Sequence, residues 1–389
     1  MQFLPSAAPA DVGLCPLRAQ RLLDALQSDI DRQRLPGAVV LVARRGRVAL
    51  FEHLGRLDPV SGAAMTRDAI FRIYSMTKPI VSVAVMMLME QGRLLLNDPV
   101  AKHLHAFGGQ TVAVERGGQV RLEPAVRPAT VQDLLRHTAG LTYEFLGETS
   151  VQRQYAAVGI GSRARTNEAF CETLAGIPLQ FHPGSVWEYS RATDVLGRLV
   201  EVLSGQTLGE YLAEHIFEPL GMPDTGFTVP AHHLARLAEP FAHDPDGGVP
   251  MAVTDFRQPG RLEGGGGGLV STARDYARFL QMLANGGTLD GARVLGPRTV
   301  ALMTTNHVDT LFSRNGLGFG LAFEILEDPG RAAQFGNPGR FGWGGAYATN
   351  YWVDPKDGLV VVLMTQLLPA RDFDLWDRVR AVIYQAEAR

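Results

Sequence analysis

The chain is expected to fold as an α+β protein. An antiparallel sheet flanked by helices would be built from both ends of the chain, with a mainly helical unit inserted between them. Three observations lead there. Apolar, β-branched runs occur near both ends, at Ala38–Ala43 and Val48–His53 and again at Gly318–Phe323, Tyr351–Val353 and Leu359–Thr365. The middle, roughly residues 100–290, is dominated by helical spacing and long loops. No GxGxxG follows a strand, so a Rossmann opening is excluded. The implied division gives 1–100 and 300–389 to one discontinuous α/β domain and 101–299 to the helical insert, with the functional site between them.

Each element has its own signal. Leu22, Leu23, Leu26 and Ile30 give Leu17–Leu35 a helical apolar face, ended by Pro36-Gly37. Ala38–Ala43, the turn Arg44-Arg45-Gly46-Arg47 and Val48–His53 read as a β-hairpin. A strong helix over about Ser75–Gln91 follows, stopped by Gly92. Pro79 is tolerated only near a first turn, which fixes the start of that helix at or around Ser75. Val131–Arg136, Asp194–Leu203, Leu208–Phe217 and Arg274–Ala284 are further helical stretches. Asp354–Gly358 (DPKDG) is a turn between the last two strands, and Phe373–Ala388 is a terminal helix.

Composition bounds the function. The 389 residues are 46% apolar and 20% charged, ordinary globular values that allow a large core. At about 150 residues per domain, the length suggests two or three domains. A net charge of −3 gives no global attraction to nucleic acid or an anionic membrane. The longest nearly apolar run, Ile80–Met89, is too short to span a bilayer. Two distant cysteines, Cys15 and Cys171, exclude a disulfide framework and a CxxC site. The first twenty residues lack a basic start and a sustained apolar stretch, so no signal peptide is read and a cytoplasmic location is expected.

Three motifs carry chemistry. Ser75-Met76-Thr77-Lys78 is an S-x-x-K, and residues three apart on a helix share a face, so the lysine can reach the serine hydroxyl. A helix N-terminus and burial both disfavour the ammonium and would make Lys78 a usable base. With twelve serines and three lysines in the chain, such a spacing arises by chance roughly once in eleven. Taken alone, it is equally a solvated lysine beside a capping serine. Tyr189, in Trp187-Glu188-Tyr189-Ser190, can accept or relay a proton beside a cation, although an aromatic core residue is the plainer reading in isolation. Phe341–Ala346 (FGWGGA) precedes a strand, and its glycines would let backbone approach a ligand and offer an N–H to an oxyanion; alone it reads as a glycine bulge.

In this order the trio resembles the serine β-lactamase and penicillin-binding-protein superfamily, and is most similar to the family VIII carboxylesterases, esterases with a β-lactamase fold. Matching stretches are RIYSMTKPI at 72–80, TVQDLLRHTAGLTY at 130–143, PGSVWEYS at 183–190, EPLGMPDTGF at 218–227, GGGGGLVSTARDYARFL at 264–280 and GWGGAYATNYWVDP at 342–355. They span most of the chain. The resemblance implies a β-lactamase/DD-peptidase-like fold and a two-step acyl transfer through an acyl-Ser75 intermediate. It makes Ser75 the nucleophile and Lys78 its general base. Tyr189 would share or relay the proton and later protonate the leaving group. The backbone N–H groups of Ser75 and Ala346 would form the oxyanion hole. Trp343, Gly344, Gly345, Tyr143 and Arg191 would line the substrate pocket. Which of Lys78 and Tyr189 takes the proton first stays open, because their titrations are coupled.

Two departures separate the chain from penicillin-recognising members. The Y-x-N motif reads Tyr189-Ser190-Arg191, and the K-T-G lysine is replaced by Trp343. Loss of a cation that would hold a substrate carboxylate favours neutral esters, with Arg191 as a possible substitute charge. The expected activity is hydrolysis of short to medium acyl esters. The alternatives are acyl transfer to an acceptor, a β-lactamase, DD-peptidase or amidase, and a non-catalytic binding protein. No G-x-S-x-G occurs, which argues against an α/β-hydrolase elbow.

The remaining candidates read as structural. His137 would fix the loop beneath the site, and Asp98 would order the turn after the Ser75 helix. His103, His105, His232 and His233 lack an HExxH pattern and read as surface histidines, so no metal is expected. Gly264–Gly268 marks close packing rather than phosphate binding, since no K-[ST] follows. No cofactor is expected. The expected partner is a small-molecule ester substrate, with no nucleic acid, no membrane span and no oligomeric state implied.

Overall fold

Leu359–Thr365 (LVVVLMT) forms a strand in which every residue is buried. It pairs antiparallel with Gly37–Arg44 on one side and with Asn350–Asp354 on the other. These strands are central in an eight-stranded sheet of a computed structural model that describes residues 3–250, 253–312, 314–368 and 374–388. The order across the sheet is Leu317–Phe319, Glu324–Leu326, Phe341–Gly344, Asn350–Asp354, Leu359–Thr365, Gly37–Arg44, Arg47–Asp58 and Ala63–Ala64. Strands from both ends of the sequence therefore share one sheet.

Alternation along Gly37–Arg44 explains its unbroken apolar run. Val39 and Leu41 face one core with Val360, Val362 and Phe279, whereas Val40 and Val42 face another with Leu22, Leu26, Val379 and Ile383. Helices Pro16–Asp31 and Leu375–Gln385 cover the second face. Helix Ala273–Ala284, although it falls inside the 101–299 stretch, covers the first.

The Ser75 segment starts as a 3-10 turn, Tyr74–Met76, and continues as the helix Thr77–Glu90. Pro79 stands third in that helix, where a missing N–H costs no intrahelical bond. This helix packs against Ala192–Ser204.

The expected elements shift in places. The single strand expected at Gly318–Phe323 is two short strands, Leu317–Phe319 and Glu324–Leu326, joined by a reversal with Ala322 at φ +86°. The first helix ends at Asp31 rather than Leu35, and Leu208–Phe217 divides into the α-helix Leu208–Leu212 and the π-helical turn Ala213–Phe217. The terminal helix is Leu375–Gln385, and Phe373 lies outside the described residues. The helix-rich middle also contains a hairpin, Thr111–Arg116 with Gln119–Pro124. It turns through Gly117-Gly118, both at positive φ, the conformation that two-residue hairpin turns demand. Among the described residues, no helix is long and apolar enough to cross a membrane.

Candidate active site

The backbone sets Ser75 before any side chain does. Tyr74 holds φ +42°, a left-handed conformation unfavourable for a non-glycine residue. Its ring packs 4.4 Å from that of Tyr347, and its hydroxyl donates to Thr254 Oγ1 at 3.0 Å. Ile73 N–H donates to the Leu269 carbonyl at 3.1 Å. The turn presenting Ser75 is thus clamped from both sides.

Lys78 is buried and its ammonium is fully used. Nζ donates to Ser75 Oγ at 3.3 Å, to the Tyr143 hydroxyl at 3.0 Å and to the Gly266 carbonyl at 2.7 Å. It also lies 4.4 Å from the Tyr189 ring centroid. Burial pulls its pKa down, but the charges and hydrogen bonds of Tyr143 and Tyr189 push harder the other way, and the net direction is upward. The lysine pKa depression expected from helix position and burial therefore does not result, because Tyr143 and Tyr189 outweigh the desolvation. Burial pushes the Tyr143 hydroxyl up to about 12, with Lys78 pulling it back, so this phenol is neutral near pH 7.

The acceptor on Gly266 depends on the glycine run. A Cβ on Gly265 would sit 2.3 Å from the Thr193 carbonyl oxygen, so any side chain would push the loop off the Ala192–Ser204 helix. Gly266 N–H donates to Asp194 Oδ1 at 2.9 Å, and its carbonyl accepts from Lys78 at 2.7 Å.

The strand Phe341–Gly344 supplies the opposite wall. Trp343 Nε1 donates to the Tyr189 hydroxyl at 3.2 Å. A Cβ on Gly345 would fall 2.5 Å from the Ile73 carbonyl oxygen. Glycine alone allows the strand end to approach the segment before Ser75, and the next residue, Ala346, lines the cavity with Ser75. Among the described residues, no backbone acceptor takes the Ala346 N–H.

Two cavities meet at Ser75, and Ser75, Phe145, Tyr189 and Ala346 line both. The smaller, about 290 Å³, is walled by Tyr74, Tyr143, Arg191, Phe256 and the glycine run. The larger, about 920 Å³, is walled by Trp187, Trp343, Trp376, Gly344 and Gly345 among others.

Of the expected site residues, Ser75, Lys78, Tyr189, Tyr143, Trp343, Gly344, Gly345, Ala346 and Arg191 all lie around these cavities or on Ser75 itself. Arg191 does not offer the substitute charge considered for it. Its guanidinium is bonded to Glu144, lies 3.7 Å from Asp194 and stacks 4.8 Å from the Tyr143 ring centre. Tyr143 was expected only as a pocket wall, but its hydroxyl is a direct partner of Lys78.

His137 is buried, and burial followed by the charge of Lys78 holds its imidazole pKa well below the ordinary value. Its Nδ1 is 3.1 Å from Ser190 Oγ, and its ring lies 4.9 Å from that of Tyr189. Asp98 accepts from Leu95 N–H at 2.9 Å and from Lys102 at 2.8 Å, and orders the turn after the Ser75 helix. His103 departs from the surface reading: its side chain is only 9% exposed and pairs with Asp98 at 3.1 Å. Among the described residues, no group of three or more His, Cys, Asp or Glu is arranged to hold a metal ion.

Comparison with known proteins gives the context for this geometry. The Beta-lactamase family model matches residues 20–385. Esterase EstB of Burkholderia gladioli is 34% identical over 373 residues, covering 89% of this chain and 90% of that one. The solved structure of EstCE1, a hydrolase with promiscuous acyltransferase activity, superposes with TM-score 0.79 at 29% identity, over 94% of this chain and 98% of that one. Simvastatin synthase (LovD) from Aspergillus terreus superposes with TM-score 0.80 at 25% identity, over 94% and 98% of the two chains. These relationships put the chain among the serine hydrolases. It belongs to the beta-lactamase family, whose fold its mixed helices and antiparallel sheet share.

Proposed function

We propose that the protein is a carboxylesterase that hydrolyses short to medium acyl esters through an acyl-Ser75 intermediate. The observation that carries this is the contact between Lys78 Nζ and Ser75 Oγ at 3.3 Å, with the Tyr143 hydroxyl and the Gly266 carbonyl completing the lysine's shell.

In the proposed reaction the reactive form has Tyr189 as a phenolate beside the Lys78 ammonium, and Ser75 Oγ attacks the ester carbonyl as its proton passes to that phenolate oxygen. Lys78 stays an ammonium, as its acceptors favour, and stabilises the charge that moves through the site. The Ser75 and Ala346 N–H groups receive the oxyanion. Collapse breaks the acyl–oxygen bond, and Tyr189 returns the proton to the departing alkoxide. Water then attacks the acyl-enzyme, giving a proton to the Tyr189 phenolate, and Tyr189 passes that proton to Ser75 Oγ as the acyl–Oγ bond breaks and the acid leaves.

The cavities suggest where each half of the ester goes. The Tyr189 hydroxyl is bonded to Trp343, and Trp343 lines the larger cavity, so the departing alcohol is assigned there. The acyl chain then occupies the smaller cavity, whose 290 Å³ lies just under the usual ~300–1,000 Å³ range of ligand pockets and limits chain length. On this proposal 1–100 and 300–389 contribute Ser75, Lys78, Trp343 and Ala346, while 101–299 contributes Tyr143, Tyr189 and Gly266, with the site between them.

Acyl transfer is the second reading, and the two-cavity arrangement favours it: an acyl group held in one cavity leaves the other free for an acceptor alcohol. A β-lactamase, DD-peptidase or amidase is less well supported, because Trp343 carries no charge and Arg191 is committed to Glu144 and Asp194. A non-catalytic binding role leaves the Lys78–Ser75 contact without a purpose.

The test is intact-protein mass and optical turnover with p-nitrophenyl butyrate and with nitrocefin, in the wild type and in Ser75→Ala. Butyrate turnover that vanishes in Ser75→Ala, with little nitrocefin turnover, is the expected result. Absence of both turnover and adduct would overturn the proposal, and nitrocefin turnover outpacing the ester would favour the lactamase alternative. Adding an alcohol acceptor and comparing ester with acid product separates hydrolysis from transfer.

A further inference from the structure

The far end of the larger cavity is unlike the rest of it. Strand Phe341–Gly344 turns Phe341 and Trp343 to one face and Gly342 and Gly344 to the other. On the glycine face, a Cβ at Gly344 would lie 2.8 Å from the Trp376 ring and one at Gly342 3.0 Å from Trp352 Cβ. Trp376 and Trp352 therefore pack directly against these glycines, and two buried arginines line the same cavity: Arg340, just before the strand, and Arg380, from the C-terminal helix.

Among the described residues, Arg340 lacks a carboxylate partner, and Arg380 lacks an acceptor for its Nε. Arg340 is 3% exposed and donates to the Phe335 carbonyl and, at 2.5 Å, to Gln334 Oε1, both neutral. Among the described residues no carboxylate forms an ion pair with it. Asp354, one of the nearest, already accepts from Tyr384 at 2.7 Å and from Asn337. Arg380 pairs with Asp377 at 2.6 Å, but its Nε has no acceptor. Its guanidinium lies 5.5 Å from the Trp352 ring centre, and the Trp352 Nε1 donor, itself 1% exposed, also has no acceptor. Burial and then the neighbouring Arg380 charge pull the Arg340 pKa down to about 10, the mark of two like charges held close in a poorly solvated place. Arg314, at the same cavity, is spent on Glu324 at 3.0 Å.

Unpaired buried donors and an adjacent pair of cations call for an anionic acceptor. We propose that Arg340 and Arg380, with the Trp352 indole beside them, bind a carboxylate carried by the alcohol half of the ester. The preferred substrate is then an ester of a hydroxy acid whose body stacks among Trp343, Trp352 and Trp376. This deepens the esterase reading and rests on it.

The experiment compares the butyrate ester of 3-(4-hydroxyphenyl)propanoic acid with the butyrate ester of its near-isosteric primary amide, with p-nitrophenyl butyrate as control. Released phenol is followed by chromatography. A guanidinium–carboxylate contact replaced by a neutral amide predicts kcat/KM about tenfold higher for the acid, carried by KM. In Arg340→Gln and Arg380→Gln the acid-to-amide ratio falls to about one. Equal kcat/KM for acid and amide in the wild type, or a ratio that survives both substitutions, overturns the proposal. A phosphate analogue preferred over the acid replaces carboxylate by phosphate and overturns it as stated.

If either arginine variant fails to fold, inhibition of the wild type decides. The free hydroxy acid should inhibit p-nitrophenyl butyrate hydrolysis at about one tenth the concentration its amide needs, and equal inhibition overturns the proposal. Ser75-dependent turnover of p-nitrophenyl butyrate with no acid preference rejects the anion subsite alone. No turnover of p-nitrophenyl butyrate rejects the esterase reading beneath it.

Discussion

Trp343 donates its indole N–H to the Tyr189 hydroxyl across 3.2 Å, so an aromatic wall of the larger cavity touches the proposed proton carrier directly. Trp343→Phe keeps an aromatic body and removes the donor. The expected outcome is a fall in kcat of about tenfold on p-nitrophenyl butyrate, with KM changed by less than about threefold. A variant with wild-type kcat would reduce the bond to packing.

Tyr143→Phe removes one of the three acceptors around the Lys78 ammonium while leaving it buried. Desolvation then weighs more, and the lysine pKa moves down from its raised position. If the ammonium form is the working one, activity is lost at lower pH on the alkaline side. A pH–rate profile between about 6 and 10 should show that limb displaced downward, and kcat/KM at pH 7 should fall by about ten- to a hundredfold. An unmoved alkaline limb would contradict the assignment.

Gly345→Ala tests the approach of the strand end to Ser75. The added Cβ meets Thr349 Oγ1 at 2.2 Å and the Ile73 carbonyl oxygen at 2.5 Å, and the second contact is with backbone that cannot rotate away. The strand end must retreat, taking the Ala346 N–H with it. A loss of one oxyanion donor predicts a kcat about a hundredfold lower or worse, measured beside circular dichroism to show that the fold is kept. Near-normal kcat would exclude Ala346 from the oxyanion hole.

Asp133 anchors the loop that carries His137. Its buried carboxylate accepts from Arg127 at 2.5 and 3.0 Å, Arg136 at 3.0 Å, Thr138 Oγ1 at 2.8 Å and Thr130 N–H at 3.0 Å. Burial opposes its charge, but the hydrogen bonds from these partners win and hold its pKa down, at about 2 against an ordinary 3.8. A depressed carboxylate contributes stability that is complete above the unfolded value and disappears as pH falls through the folded one. The relevant window is therefore about pH 4 down to 2, and the contribution about 2 kcal/mol. Asp133→Asn should flatten the acid limb of stability in that window and, by leaving two arginines short of a partner, cost about 3–5 kcal/mol at pH 7. Urea unfolding at pH 7 and at lower pH measures both.

Much of this was legible in the sequence, and the exceptions share a cause. Pro79 and the S-x-x-K spacing located the Ser75 helix because helix geometry is local. The strand at Leu359–Thr365 was legible because a run buried on both faces has no polar interruption. The hairpin at Thr111–Pro124 had its signal in Gly117-Gly118 between alternating residues, which the helical character of its surroundings overshadowed. The Tyr143 contact with Lys78 joins residues 65 apart in sequence, and no spacing rule encodes it. Arg191 illustrates the converse: a charge is visible in sequence, but its neutralisation by Glu144 depends on how a loop folds back. Arg340 and Arg380 come together only when the last helix lies on the sheet.

The pairing of Gly37–Arg44 with Leu359–Thr365 has a consequence during synthesis. The first hairpin leaves the ribosome with one edge of an all-buried strand unpaired, and its partner follows more than three hundred residues later. At about 5–20 residues per second, that edge waits for roughly 15–65 s. An apolar strand edge exposed for so long is a template for pairing with another nascent chain. Yield on overexpression should therefore depend on translation speed and on chaperones that shield the N-terminal segment. A chain truncated before residue 359 could not complete its sheet, however intact its Ser75 helix.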